Sequence, residues 1–404
     1  MFKKFNTYNS KEVQAAIKVI KSGSLSNFIG EWGNKFYGGE LIQKMERKYA
    51  NYFKVKYAIS VNSWTSGLTC AIGALDIEPG DEIILPTWTM SACAASILHW
   101  NAIPVFADID PITLNIDVDS VKKNISKRTK AILAVDISGR PANIVDLKKI
   151  IGKKKVKIIS DSAQSPHAKY DNKKFAGTIA DIGGISLNYH KHIHTGEGGI
   201  IFTNNKVLAE KMMMIRNHAE AVLRDRKNFK LNNMIGYNFR LGEVEAAIAM
   251  EQLKKLKTIV EKRVKIANYL TSKLRDIPQL ILPENKSDFS NVYYTYPIIL
   301  NKRFKLSRNK ILRYLKKKKI PGFRAGYWNL HLLPMFQKKI AYGKGNYPWN
   351  WGSRKISYKK GICPNAESLN DKYFIGFGIS NYDLKIKDIN LISYHFHQIF
   401  KKKY

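Results

Sequence analysis

The sequence predicts an α/β fold in which a mostly parallel β-sheet is covered by helices. Between about residue 57 and residue 204, short apolar segments rich in β-branched residues alternate with segments of helical pattern. Strands that are buried on both faces have such continuous apolar runs, and parallel neighbours are joined by crossover helices. The chain of 404 residues, 45% of them hydrophobic, is long enough to bury a large core.

The elements of this sheet can be assigned in order along the chain. Strands are expected at 57–63, 82–86, 103–110, 130–137 and 157–163. Helices are expected after the first two of these strands and at 143–154, where the pattern is amphipathic. Two further strand-like segments, 184–189 and 198–204, are separated by only about eight residues. Because a helical crossover needs a longer connection, this pair is expected to be antiparallel or irregular.

The pattern becomes helical after residue 204, with helices expected at 206–223 and 243–274. The second stretch is long enough to form two helices or one bent helix. From about residue 276 the pattern changes again, to a strand at 292–300, a helix at 307–318 and a Tyr/Trp-rich segment at 322–351. We therefore expect a large domain over residues 1–265, including an N-terminal segment, and a smaller α+β domain over residues 266–404.

The charge of the chain is unusual. A formal net charge of +36 and a pI near 9.9 would attract polyanions, including nucleic acid. The lysines are nevertheless spread along the whole chain, and the clusters at 153–157 and 316–319 have no interleaved aromatic residues. Abundant Ile and Asn beside Lys are typical of an AT-rich genome. We therefore expect solvated lysines rather than a nucleic-acid interface, and a basic nucleic-acid-binding regulator is kept as an alternative.

The sequence gives no sign of a membrane or metal protein. The N-terminal region has no apolar run of signal-peptide length, and no segment approaches eighteen consecutive apolar residues. Cys70, Cys93 and Cys363 are an odd, widely spaced set that predicts neither a disulfide framework nor a zinc site. These observations predict a protein of the reducing cytoplasm with no membrane partner.

Candidate site residues lie where the predicted strands end. In open parallel sheets, ligands bind beyond the carboxyl ends of the strands. Thr65 and Ser66 open the helix after the first strand, so their free amides form either an anion site or an ordinary N-cap. Trp88 follows the second strand, where its ring either stacks on a flat ligand or packs in the core.

Two further strand ends carry ionisable groups. Asp161 leaves a buried strand and needs a donor partner, which a protonated pyridine nitrogen would supply, while Gln164 can donate to a ring oxygen. A helix N-cap explains the aspartate equally well. Lys191 lies between two strand-like segments, a position that suits covalent catalysis by an amine, although a solvated lysine is common in this chain. The neighbouring histidines lack carboxylate or cysteine companions, so no metal site is expected.

Taken together, these motifs resemble a known family. The succession of WTSGL, PTWT, SDSAQ and S-x4-K-x3-TGEGG, from residue 64 to residue 199, is similar to the pyridoxal-phosphate (PLP)-dependent sugar aminotransferases of the DegT/DnrJ/StrS type. The similarity runs from about Gly30 to the C-terminus and includes GYNFRLGEVEAAIAMEQLKKL and, more loosely, FRAGYWNLHLLPMF. It implies a fold type I aminotransferase with a seven-stranded sheet, PLP as cofactor, and a homodimer.

The resemblance also implies a role for each matching residue. Lys191 would form the covalent link to PLP, and Asp161 would pair with the pyridinium and act with Lys191 in catalysis. Gln164 would meet the ring hydroxyl and Trp88 would stack on the ring. The remaining residues are expected at the cofactor phosphate (Thr65, Ser66, Ser186 and, from the other subunit, Asn238 and Arg240) or at the substrate (Arg324 and His331).

By the same resemblance, the expected activity is transfer of an amino group, with glutamate as donor, to a keto-sugar that is nucleotide-linked. Such a reaction serves amino-sugar and surface-polysaccharide biosynthesis. A PLP-dependent sugar dehydratase of the same fold is the alternative, in which histidine replaces the lysine; this chain keeps Lys191 in histidine-rich surroundings. Two departures from the family pattern stand out. Trp64 precedes Thr65 where glycine is usual, and the run 184–190 differs from the commoner Ser-Phe sequence.

Overall fold

The computed structural model describes residues 2–171, 173–225, 232–285, 290–305 and 307–401. The strands are β1 Tyr57–Val61, β2 Glu82–Pro86, β3 Ile103–Ala107, β4 Thr129–Val135, β5 Lys157–Asp161, β6 Ile182–Ser186, β7 Gly199–Thr203, β8 Leu280–Ile281, β9 Tyr296–Leu300, β10 Phe323–Arg324 and β11 Phe374–Phe377. The α-helices are α1 Ser10–Lys21, α2 Glu40–Phe53, α3 Trp64–Gly73, α4 Ser91–His99, α5 Val118–Asn124, α6 Ile144–Ile151, α7 Lys206–Arg216, α8 Ala219–Val222, α9 Glu243–Leu274, α10 Arg308–Lys317, α11 Pro334–Lys338, α12 Pro364–Ser368 and α13 Ile386–Lys401.

Seven strands form one sheet in the order β1-β7-β6-β5-β4-β2-β3. The pairs β2–β3, β2–β4, β4–β5 and β5–β6 are parallel, and only β7 runs against its two neighbours. This arrangement confirms the predicted mostly parallel α/β sheet and the antiparallel pair formed by β6 and β7. In β2 and β3 every residue is buried, as expected for strands covered on both faces.

The carboxyl ends of the parallel strands gather the site residues along one edge of this sheet. Asp161 and Ser186 are the last residues of β5 and β6, and α3 begins three residues after β1 ends. Val61 and Ser186 both pair with Gly199 of β7, from opposite sides. Val61 and Ser186 are therefore two strand spacings apart, or about 10 Å, and α3 begins shortly after Val61.

The second half of the chain differs in two places from the helices and strands predicted. The helix expected at 206–223 divides into α7 and α8, because His218 between them has a left-handed φ of 52°. The strand expected at 292–300 is confined to β9, because Tyr293 has a φ of 51° and the amide of Val292 bonds to the Gly139 carbonyl. By contrast, the stretch 243–274 is a single helix, α9.

A second, antiparallel sheet has the order β10-β11-β9-β8. The predicted border at residue 265 falls inside α9, whose residues contribute to the core beside the large sheet (Leu256, Val260) and to the core beside the small one (Leu270, Leu274). Segment 330–369 also returns to pack on the large sheet's core. The exact border stays a prediction. No helix in the described ranges has the length and apolar character needed to cross a membrane.

Candidate active site

The N-terminus of α3 supplies backbone and hydroxyl donors. Ser63 is the N-cap, and its Oγ accepts a hydrogen bond from the Ser66 amide at 3.1 Å. Ser66 Oγ lies 2.6 Å from Asn62 Oδ1. The amide of Thr65 has no acceptor within the helix, as is general for the first turn, and Thr65 is exposed. The N-cap is therefore present, and the anion site at the Thr65 amide stays a prediction.

Asp161 is buried and accepts three hydrogen bonds. Its Oδ1 accepts from Trp64 Nε1 at 2.7 Å and from the Ala163 amide at 3.0 Å, while its Oδ2 accepts from Cys93 Sγ at 3.2 Å. Burial raises the pKa of Asp161 above its usual value, and these donors oppose that shift. No helix follows Asp161 in the described residues that come next, so the N-cap alternative is wrong.

Asp136 holds the turn that carries Asp161 and Gln164. It follows β4, and its Oδ2 accepts from Ser162 Oγ at 2.6 Å and from Ser165 Oγ at 2.8 Å. Its Oδ1 accepts from the Ala142 amide at 2.8 Å. Burial raises the pKa of Asp136 to about 7. The Asp136 carboxyl therefore stabilises the conformation of the turn through these hydrogen bonds.

Lys191 lies in the irregular turn between β6 and β7. Its Nζ is 4.6 Å from the centroid of the Tyr294 ring and makes no hydrogen bond with the residues that the structure describes. Burial lowers the pKa of Lys191 to about 8, although the negative charge of Asp161 opposes the shift. An amine with this pKa is partly neutral near pH 7, which distinguishes Lys191 from an ordinary solvated lysine.

The histidines around Lys191 lie in irregular backbone, with turns and bends over residues 189–193. His192 is fully buried and its Nε2 bonds to the Val292 carbonyl at 3.0 Å. His194 packs against Tyr8, and burial lowers the pKa of His190 to about 4. These histidines pack the turn from several sides, and the described residues contain no cluster of metal-binding side chains.

Trp88 and Gln164 both contact Tyr327. Trp88 Nε1 donates to the Tyr327 carbonyl at 2.7 Å, and the indole packs edge-on against Phe374 with the ring centroids 4.7 Å apart. Gln164 Nε2 donates to the Tyr327 hydroxyl at 3.0 Å, while Oε1 accepts from the Ser138 amide at 2.8 Å. The second hydrogen on Nε2 is available for a ring oxygen. The contacts predicted between these two side chains and the ring of a cofactor stay predictions.

The two expected substrate residues differ in their surroundings. Arg324, in β10, is exposed; its guanidinium is 6.0 Å from the Tyr327 ring, and its charge lowers the pKa of His190 beside Lys191. His331 is fully buried, with Nδ1 2.5 Å from Thr87 Oγ1 and Nε2 3.0 Å from Glu367 Oε1. Both ring nitrogens of His331 are therefore occupied. A substrate contact stays a prediction for both residues, and the geometry favours Arg324.

The segment that carries Asn238 and Arg240 lies beside the start of α3 in the same chain. The amide of Asn62 donates to the Phe239 carbonyl at 2.9 Å, which fixes the segment next to the start of α3. Arg240 Nε donates to Asn238 Oδ1 at 2.7 Å, and the Asn238 side chain is exposed. Their contact with a partner's cofactor stays a prediction.

The DegT/DnrJ/EryC1/StrS aminotransferase family matches the chain over residues 29–364. The chain belongs to this family. The predicted family and the predicted PLP-dependent transaminase are therefore confirmed.

Relatives of this aminotransferase include both catalytic types considered from the sequence. GDP-perosamine synthase of Vibrio cholerae is 31% identical over 80% of this chain and 87% of its own. GDP-4-keto-6-deoxy-D-mannose-3-dehydratase of E. coli, solved with hydrated PLP, superimposes with a TM-score of 0.80 at 26% identity, over 98% of this chain and 99% of that one. A structure of such a dehydratase with a trapped PLP–glutamate geminal diamine has a TM-score of 0.78, again at 26% identity and with the same coverage. These similarities confirm the fold type I architecture and the PLP cofactor.

The polar atoms of this aminotransferase fit PLP at three places. The Lys191 amine has a pKa lowered by burial and no hydrogen-bond acceptor among the described residues, which suits a covalent link to the cofactor's carbonyl carbon. The exposed Thr65 amide in the first turn of α3 suits its phosphate. Asp161 Oδ2, which accepts only from a thiol among the described residues, suits its ring nitrogen.

Two residues near the aminotransferase site were not assigned from the sequence. Tyr294 covers the Lys191 amine, and Tyr327 joins Trp88 to Gln164. Tyr327 lies in the segment that resembles the substrate side of the family, so that segment held a usable signal. Tyr294 lies within a predicted strand, and nothing in the sequence around it indicated a place in the site.

Proposed function

We propose that this transaminase moves an amino group from glutamate to the keto carbon of a nucleotide-linked sugar. The observation that carries the proposal is Lys191: its amine has a pKa of about 8, faces Tyr294 and is close enough to Asp161 to be influenced by that charge. The resemblance associates a histidine at this position with the dehydratase branch, so the lysine favours amino transfer. The product would serve amino-sugar and surface-polysaccharide biosynthesis.

Each residue of the proposed site would have a separate role in amino transfer, which follows from its chemistry. When bound, PLP supplies an electron sink that makes the α-hydrogen of an amino acid acidic. Asp161, kept anionic, would hold the ring nitrogen protonated, and Lys191, as a neutral amine, would carry the proton between the donor's α-carbon and the cofactor. Thr65, Ser66 and Ser186 would bind the phosphate at the strand ends.

The nucleotide-linked substrate is supported by charge and by a relative. The synthase that is 31% identical to this chain is named for a GDP-linked amino sugar. The net charge of +36 attracts a diphosphate to the protein, and the exposed Arg324 beside the Lys191 turn can bind an anionic group of either substrate. Glutamate as donor is supported by its presence in the trapped adduct of the related dehydratase.

The proposal includes a homodimer in the cytoplasm. Asn238 has an exposed side chain beside the phosphate helix, and with Arg240 it would reach the cofactor phosphate of a second subunit across a two-fold interface. Cys70, Cys93 and Cys363 are all buried without a disulfide, which supports a reducing compartment.

The test is an assay with glutamate and a panel of keto-sugars linked to UDP, GDP or dTDP, with free keto-sugars as controls. Formation of an amino-sugar nucleotide and of 2-oxoglutarate is expected, and Lys191→Ala should abolish both products and the borohydride-reducible link to PLP. Lys173→Ala, at an exposed lysine to which no role in the site is assigned, is the matched control. Deoxygenation of the sugar without amino transfer would favour the dehydratase, and a colourless protein that binds no PLP would contradict the whole assignment.

A further inference from the structure

Trp64 begins α3, where the family resemblance predicts glycine, and its side chain turns into the protein. Only 6% of the residue is exposed. Its Nε1 donates to Asp161 Oδ1 at 2.7 Å, across 97 positions of sequence. The bulky group at the start of the phosphate helix is therefore directed beneath the site, towards the carboxylate that the proposed function pairs with the cofactor ring.

Two glycines make room for the indole. A Cβ at Gly67 would lie 2.7 Å from Trp64 Cε3, and a Cβ at Gly184 would lie 2.1 Å from Trp64 Cζ3. Real Cβ atoms do not approach ring carbons so closely, so any side chain at either position would displace the ring. Gly184 is in β6, two residues before Ser186. The buried orientation of Trp64 therefore requires glycine at both of these positions.

The donors are divided unequally between the two oxygens of Asp161. Oδ1 accepts from two N–H groups, those of Trp64 and Ala163, whereas Oδ2 accepts only from the Cys93 thiol among the described residues. A thiol is a weak donor, so Oδ2 retains its capacity to accept a further, stronger hydrogen bond. N–H donors to a carboxylate also favour its ionised form, which offsets the effect of burial.

We propose that Trp64 is a positioning residue for amino transfer: its indole N–H fixes the rotation of Asp161 so that Oδ2 faces the cofactor's ring nitrogen, and it keeps the carboxylate ionised. This inference rests on the proposed pairing of Asp161 with PLP. The other titratable groups whose charges act on or near Asp161 are Lys191, Cys93, Asp136 and Tyr327.

Trp64→Phe tests the proposal, because phenylalanine keeps an aromatic ring and lacks the donor. Replacing Trp64 with β-(3-benzothienyl)alanine removes the same N–H and keeps the shape of the indole, which guards against a folding defect. The matched control is Trp100→Phe. Trp100 is equally buried, donates to the Thr69 carbonyl at 2.7 Å and is accommodated by Gly73, but it has no bond to Asp161.

The readouts are the pH midpoint of the bound cofactor's visible absorbance, kcat and KM. Without the indole donor Asp161 becomes more basic and takes a larger share of the ring proton, so the Lys191 nitrogen of the covalent link should release its own proton at higher pH. We expect a midpoint raised by about one pH unit and kcat lowered about tenfold in both Trp64 variants, with KM for the sugar unchanged. Trp100→Phe should keep the wild-type midpoint and kcat.

The outcomes separate this inference from the proposed function. Wild-type midpoint and kcat in both Trp64 variants would show that Trp64 only packs in the core and would overturn the inference, leaving amino transfer intact. A raised KM with unchanged kcat and midpoint would also contradict it, since a positioning effect on Asp161 acts on chemistry. Wild-type protein that binds PLP without a borohydride-reducible visible absorbance would instead count against Lys191 and the proposed function.

Discussion

Asp136→Asn should change how the stability of the protein depends on pH. Burial raises the pKa of Asp136 from 3.8 in a model peptide to about 7 in the fold, so the folded state binds a proton more tightly than the unfolded state. The stability from this group is fully present below pH 3.8 and is lost as the pH rises through 7. At about 1.36 kcal/mol per pKa unit, the full difference is roughly 4 kcal/mol, and the part between about pH 5 and about pH 8 is roughly 2.5 kcal/mol.

Asparagine is a suitable replacement because it can satisfy the same partners. Its carbonyl oxygen can accept from the Ala142 amide, and its amide can donate to the hydroxyls of Ser162 and Ser165, which then act as acceptors. The assay is urea unfolding of the PLP-free protein at about pH 5 and about pH 8. The free energy of unfolding of wild type minus that of the variant should fall by roughly 2.5 kcal/mol between the two conditions.

Asp119→Asn is the control, since Asp119 is exposed in the first turn of α5. Its difference from wild type should be the same at both pH values. If the difference for Asp136→Asn were equally constant, the carboxyl would be ionised in the fold at both pH values, and the reasoning from burial would be refuted.

Three further outcomes are expected at the site. Asp161→Asn should still bind PLP, measured by absorbance, but lose on the order of 10²-fold in kcat, because a neutral partner cannot keep the ring nitrogen protonated; turnover near wild type would contradict its proposed role. The Lys191 amine, with a pKa of about 8, should react with added PLP about tenfold faster at pH 9 than at pH 7 in stopped-flow absorbance, since its neutral fraction grows by that factor; a rate independent of pH would not fit. Mixing Lys191→Ala subunits with subunits carrying Asn238→Ala and Arg240→Ala should restore activity, because one site of each mixed dimer would be intact; no recovery despite proven subunit exchange would exclude a shared site.

The large sheet could be predicted because its strands are buried along their whole length. In a chain of alternating helices and strands, apolar runs such as 82–86 and 103–107 indicate strands that are buried on both faces. The short connection between β6 and β7 indicated their antiparallel pairing. Tyr293 and His218 were not predictable in the same way. Each takes a left-handed φ that tyrosine and histidine rarely adopt, and hydrogen bonds from distant segments hold the neighbouring backbone in place.

The candidate site was predictable to the extent that it follows from strand ends. Asp161 and Ser186 end neighbouring strands, so their convergence follows from the parallel sheet. The direction of Trp64 does not follow from local sequence, because it depends on the absence of a side chain at Gly184, far along the chain. The burial of His331 likewise depends on Glu367, which accepts its Nε2 hydrogen bond from another element.

The packing of α1 against α9 determines the order in which the protein can assemble on the ribosome. Glu12 of α1 accepts a hydrogen bond from Gln252 Nε2 at 2.8 Å and pairs with Lys255, and Gln252 also donates to the Thr7 carbonyl, 245 positions away. At synthesis rates of about 5–20 residues per second, the N-terminal segment waits roughly 12–50 s for these partners. Until α9 has been synthesised, the Glu12 carboxylate lacks both Gln252 and Lys255, so α1 can pack against α9 only after all seven strands of the large sheet have been translated.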